Sequence, residues 1–167
     1  MGDLIVLKLG GSVLTFKDKP FEANFKNLER LANEISRAYR SRKMKLVIVH
    51  GAGSFGHPLV LESKIHEGIR DKNQLISFAK VQSWQNYWNH LVTTILQEKG
   101  LPAIPCQPSS LAIVEKGRIT WMPLDAIKGM VKIGLIPVLY GVPAYDRTQG
   151  CSLSLIHISE PTRPLYI

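Results

Sequence analysis

The stretch VHGAGSFGHP, Val49 to Pro58, closes a short apolar run, Leu46 to Val49, with three glycines inside six residues. An apolar run of this length reads as a buried strand, and the glycines let backbone N–H groups converge on an anion with no side chain in the way. Gly51, Gly53 and Gly56 fit both GxGxxG and the frame GxxxxG. Neither pattern completes. A dinucleotide fingerprint sits after the first strand and has an acid about twenty residues on, whereas another glycine-ended strand precedes this loop and polar turn sequence follows it. A P-loop continues with Lys and then Ser or Thr, and here His57-Pro58 stands in that place. Two readings stay open, an anion-binding loop and a tight structural turn.

The same logic occurs upstream. Leu4 to Leu9 is apolar except for Lys8 and ends at Gly10-Gly11-Ser12, which suits a buried parallel strand. A lysine inside such a strand is costly unless its amine reaches an anion or water; the alternative is an edge strand from which it snorkels outward. Lys17 and Lys19 follow in the next loop, within reach of the same anion.

Between and beyond these loops, strands alternate with helices. Residues 24–42 carry Phe25, Leu28, Leu31, Ala32, Ile35 and Ala38 on one helical face, with arginines off the stripe as a solvated surface. A long helix is expected over 73–99, closed by Gly100 and Pro102, with Leu75, Phe78, Gln82, Gln85, Leu91, Val92, Ile95 and Leu96 inward. Trp84, Tyr87 and Trp88 are read as packing. Short strands are expected over 103–106, 111–114, 118–122 and 135–140, the middle two as a hairpin through Glu115-Lys116-Gly117, and a short helix over 124–133. The alternation predicts an α/β, three-layer sandwich with a largely parallel sheet and ligand loops at the carboxyl ends of its strands.

Composition narrows the function classes. The 167 residues are 45% hydrophobic and 20% charged, ordinary globular values, so disorder and collagen-like repeats are excluded. Twenty-one Lys and Arg against thirteen Asp and Glu give +8, which favours anionic partners without choosing among them. With no nucleic-acid recognition motif, and no apolar segment near the roughly 18 residues of a membrane span, neither nucleic acid nor membrane is the expected partner. Cys106 and Cys151 form no metal pair and no disulfide framework, which points to a reducing, cytoplasmic setting. Met1-Gly2 begins like an acylation signal, but Val6 breaks the pattern.

Residues 153 to 163, LSLIHISEPTR, match the in-frame translation of a transposase adapter used in sequencing libraries. The expectation is a native segment 1–152 followed by a non-native tail 153–167, on a reading frame cut short near Ser152.

Taken together, KLGGSVLTFK at Lys8 to Lys17 and VHGAGSFGHP resemble the amino acid kinase superfamily, and the SFGH form resembles its isopentenyl phosphate kinase branch. NLERLANEI at 27–35, CQPSS at 106–110 and IPVLYG at 136–141 extend the resemblance over residues 4 to about 150. It implies ATP-dependent phosphorylation of isopentenyl phosphate, a small-molecule phosphate substrate, with Mg²⁺ arriving on ATP and a homodimer as an allowed assembly. By position, Lys8 and Lys17 would face the phosphates, and Gly10 and Gly11 would approach the nucleotide. His57 would hold the acceptor phosphate, amid backbone donors of Gly51, Ala52, Gly53, Ser54 and Gly56. Phe78 and Val81 match positions lining a prenyl pocket, although apolar residues at helical spacing are equally expected of a core. His50 is read as structural. The sequence departs from the pattern at Tyr140-Gly141-Val142, where many members carry His-Gly-Asp, and the later Ser-Gly-Asp segment is replaced by the adapter-like tail. Because that histidine form also occurs in fosfomycin kinases, these are the alternative enzymes; a non-catalytic anion-binding module is the alternative class.

Overall fold

The first strand, β1 (Leu4–Leu9), runs parallel to β2 (Lys45–His50) in unbroken register, from Leu4 beside Lys45 to Leu9 beside His50. That register ends both strands at one level, so the two glycine loops leave the sheet side by side. The computed structural model describes residues 3–42 and 44–153. Its main sheet is parallel throughout, in the order β1-β2-β6-β3, with β3 at Ala103–Pro105 and β6 at Ile136–Tyr140.

Alternation along the strands sends side chains to opposite faces. Leu46, Ile48, Ile136 and Val138 join one core with Leu28, Ala32 and Ile35 of α2 (Phe25–Ser41) and Trp88, Val92 and Leu96 of α4 (Lys72–Glu98). Val49 and Leu139 face the other side, against Ile127 of α5 (Asp125–Ile133). Helices thus cover both faces, giving three layers. Asn24 caps α2 by accepting the Asn27 N–H, and Asp71 caps α4 by accepting that of Gln74. At its far end α4 is tied to α2, where Ser36 Oγ and Arg40 Nη2 both donate to the Lys99 carbonyl, at 2.7 and 2.8 Å.

Several expectations are corrected. β1 is the edge strand of the described sheet, with Leu4 60% and Val6 58% exposed, so it is not buried. An apolar run cannot report which side of it lacks a neighbour. On α4, Leu75 is exposed and the inward residues include Trp88, Asn89 and Thr93; of the three ring residues only Trp88 is fully buried, while Trp84 packs on Phe21 at a ring distance of 4.4 Å. The loop after β2 continues into α3 (His57–Ser63), a helix hidden behind Gly-His-Pro, although proline suits a first helical turn. Short α1 (Gly11–Leu14) follows β1 in the same way. The hairpin strands are β4 (Ile113–Glu115) and β5 (Arg118–Trp121), joined by Lys116-Gly117, both at positive φ as a tight two-residue turn requires.

Asp146, fully buried, ties this hairpin to the chain after β6. Its carboxylate accepts N–H groups of Gly117 and Thr148 at 2.8 Å and of Gln149 at 3.3 Å. Of the suspected tail, 153–167, only Leu153 is among the described residues, packed on Val60, Ile65, Val81 and Cys151; the rest of that expected non-native segment lies outside them.

Candidate functional site

A cavity of about 700 Å³ opens where β1 and β2 end. Lys8, Gly10, Gly11, Ser12, Thr15 and Lys17 line it from the first loop, and Gly51, Ala52, Gly53, Ser54, His57, Pro58 and Leu61 from the second. Two lysines and a histidine face it, and among the described residues no carboxylate does. A concave wall of that sign attracts a multiply charged anion.

At their glycines the two loops meet backbone to backbone. A Cβ added to Gly51 would lie 2.6 Å from Gly11 N, and one added to Gly11 would lie 2.7 Å from Gly53 N. The Gly51 N–H donates to Leu9 O at 3.0 Å, continuing the strand pairing into the loop. Thr15, 3% exposed, bolts the loops together. Its Oγ1 donates to Gly11 O and accepts the Ser54 N–H, both at 2.9 Å.

Ala52 has right-handed helical backbone (φ −60°, ψ −32°), and Gly53 follows at φ +53°. Successive right- and left-handed residues make a nest, in which neighbouring N–H groups turn toward one point. Gly53 must be glycine on two counts, its positive φ and the Thr15 Oγ1, which would lie 2.5 Å from an added Cβ.

His57 stands at the start of α3 with its side chain exposed. Leu61 lies one turn on and lines the same cavity, whereas Val60 points the opposite way into a core with Ile65 and Val81. The helix therefore has one ligand-facing and one packing side. His50 differs in every respect. It is 1% exposed, stacked on Tyr140 at 5.7 Å, with Nδ1 3.1 Å from Gly51 O and Nε2 2.9 Å from the Asn89 amide. Burial pushes its pKa down, and the two hydrogen bonds counter this only in part. The motif thus holds one exposed histidine at the cavity and one neutral histidine in the scaffold.

The structure gathers Lys8, Lys17, Gly10, Gly11, Gly51, Ala52, Gly53, Ser54 and His57 around one cavity. Gly56 is buried beneath the loop against the Gln85 amide. Phe78 and Val81 do not line this cavity; both sit in the cluster behind α3 with Val60, Ile65 and Cys151, the core alternative for these residues. Lys19 instead pairs with Glu22 at 3.0 Å. Sequence reasoning assigned no part to Thr15. Among the described residues no three His, Cys, Asp or Glu side chains converge to hold a metal ion.

Residues 3–159 match the model of the amino acid kinase family. The chain belongs to this family. Among curated amino acid kinases it is 39% identical to the isopentenyl phosphate kinase of Methanothermobacter thermautotrophicus, over 92% of the chain and 58% of that protein. It is 36% identical to that of Methanocaldococcus jannaschii, over 88% and 58%. The chain thus spans less than two thirds of these relatives. A crystal structure of an isopentenyl phosphate kinase superimposes with a TM-score of 0.83 at 38% identity, covering 90% of this chain and 62% of that one. Giardia lamblia carbamate kinase bound to AMP-PNP, 13% identical with a TM-score of 0.67, has the same amino acid kinase fold.

Proposed function

We propose that the protein to which this chain belongs transfers the γ-phosphoryl group of ATP to isopentenyl phosphate, giving the diphosphate, with the described cavity as the acceptor-phosphate end of its active site. The observation that carries this reading is the lining itself, with two lysines, an exposed histidine, a glycine nest and, among the described residues, no carboxylate. The sequence kinship to enzymes of that name supports the choice of acceptor.

The chemistry asks little proton transfer of the protein, because the oxygen of a phosphomonoester is already anionic near neutral pH. The obstacle is bringing two polyanions together. Catalysis of such a transfer rests on positioning and on cations that neutralise the moving group. In this reading Lys8 and Lys17 supply the positive charge, and the Ala52 and Gly53 N–H groups cradle the acceptor phosphate. The His57 imidazole donates a hydrogen bond that aligns it. Gly10 and Gly11 leave the nucleotide side of the cavity open. Mg²⁺ enters as part of the MgATP substrate, and no step is assigned to it.

The native segment of this reading is 1–152, residues 153–167 being adapter-derived. Assembly as a homodimer in the cytoplasm belongs to the same proposal, the dimer tested by the mass of the chain in solution. The decisive assay joins this segment to the remainder of its gene and follows ATP-dependent diphosphate formation from isopentenyl phosphate. Turnover of fosfomycin in its place would move the assignment to another amino acid kinase.

A further inference from the structure

The Gly51 carbonyl is held from outside its own loop. Trp88 Nε1 donates to it at 3.2 Å, and His50 Nδ1 lies 3.1 Å away. One residue on, Gln85 Nε2 donates to Ala52 O at 3.4 Å. Trp88 and Gln85 stand three residues apart on α4, so both reach the loop from one face of that helix, and both are fully buried. His50 is backed in turn by Asn89, from the same helix. A neutral imidazole with its proton on Nδ1 accepts at Nε2, which requires the Asn89 amide turned over so that its NH₂ group takes the place of the Oδ1 atom assigned 2.9 Å away.

A trans peptide holds its C=O and its N–H in opposite directions, and no peptide bond described is cis. Holding the Gly51 and Ala52 carbonyls against α4 therefore turns the N–H groups of Ala52 and Gly53 away from that helix, and both residues line the cavity. Without these donors either peptide could rotate and present a carbonyl oxygen to an incoming anion.

We propose that Trp88 and Gln85, backed by His50 and Asn89, are positioning residues that keep the N–H groups of the glycine nest aimed at the acceptor phosphate. The inference rests on reading the cavity as a phosphate site. None of the four needs to touch substrate; they act through the peptides they hold. Gln85 separates this role from ordinary packing, because its Oε1 is buried without a hydrogen-bond partner. A residue kept only for packing has no reason to bury a lone oxygen. Methionine, of similar length and flexible, fills that space without it.

The test uses the full 167-residue chain, ¹⁵N-labelled, titrated with isopentenyl phosphate and separately with inorganic phosphate, alongside thermal melts. Gln85→Met should melt at or above the wild-type temperature yet bind isopentenyl phosphate about three- to tenfold more weakly, the worth of one ordinary hydrogen bond. Trp88→Phe keeps a ring against Phe55 and removes the N–H donor together with part of the indole's volume, a loss that the thermal melt reads separately. It should weaken binding by a similar factor and shift the Ala52 and Gly53 amide resonances in the absence of ligand. Folded variants with wild-type affinity and unmoved amide signals would overturn the positioning role while leaving the phosphate site intact. Loss of fold in both variants would assign the pair to packing and overturn it as well. A wild-type chain whose loop amides respond to neither ligand would overturn the phosphate-site reading itself.

Discussion

Gly11 and Gly51 meet backbone to backbone at the mouth of the cavity, so closely that a Cβ on either would fall within 3 Å of the other loop's main chain. What such a carbon would strike is backbone, which cannot swing aside as a flexible side chain would. The two strand ends are thereby held at the separation that lets both loops serve one cavity.

Gly51→Ala and Gly11→Ala should each destabilise the chain by about 1–3 kcal/mol, the usual cost of overpacking. At Gly10 an added Cβ would find only Val13 Cγ2 at 3.7 Å, ordinary contact. Gly10→Ala should stay within about 0.5 kcal/mol of wild type. Urea denaturation of the three variants checks the contrast, and equal losses at Gly10 and Gly51 would refute the close-approach account.

His57→Ala should lower turnover of isopentenyl phosphate by roughly one to two decades in the complete enzyme, since a charge-assisted hydrogen bond contributes about 1.5–3 kcal/mol. Its exposure means that the melting temperature should hardly move. Steady-state kinetics beside a thermal melt separates the two quantities. Wild-type turnover in this variant would remove His57 from the acceptor site.

Two buried groups should shape the acid limb of stability, each in its own window. The His50 pKa is lowered by burial, so the unfolded chain takes up a proton that the folded one resists. Stability from this group is complete above about pH 6.5 and declines as the pH falls below it. His50→Gln should abolish that decline.

Burial alone would raise the Asp146 carboxyl, but N–H groups of Gly117, Thr148, Gln149 and Lys116 outweigh it and hold the pKa below the ordinary value. Its contribution is complete above about pH 4 and is lost as the pH falls further. Asp146→Asn should therefore cost about 1–3 kcal/mol at pH 7, with the gap to wild type closing in acid. Denaturation curves across pH 3 to 8 measure both windows, and a gap that widened in acid would reverse the assigned sign.

Much of the architecture was legible before any coordinates. α2 and α4 lie within a residue or so of the helices read from periodicity, because each has a capping side chain at its start and an apolar stripe or a glycine at its end. The cavity was legible because glycines after two strands have few other uses. The inward face of α4 was harder to see. Gln85, Asn89 and Thr93 are buried there, and polar residues inside blur the apolar period that marks a core. Thr15 was invisible for a related reason: its importance lies in a bond to Ser54, 39 residues away, which no local pattern encodes.

For the segment LSLIHISEPTR, we expect amplification of the locus across the codon for Ser152 to give a different continuation. Finding these eleven residues encoded in the genome would make them native.

The two anchorages of α4 have a consequence for how its length can vary. Gln85 and Trp88 grip the glycine loop, and the Lys99 carbonyl is gripped by Ser36 and Arg40 of α2. One residue inserted between them would rotate everything beyond it by about 100°. The helix would then have to release either the loop or its neighbour. Insertions and deletions among descendants of this gene should accordingly collect in the turns between Lys64 and Asp71, ahead of the helix, and be absent from the stretch between Gln85 and Lys99.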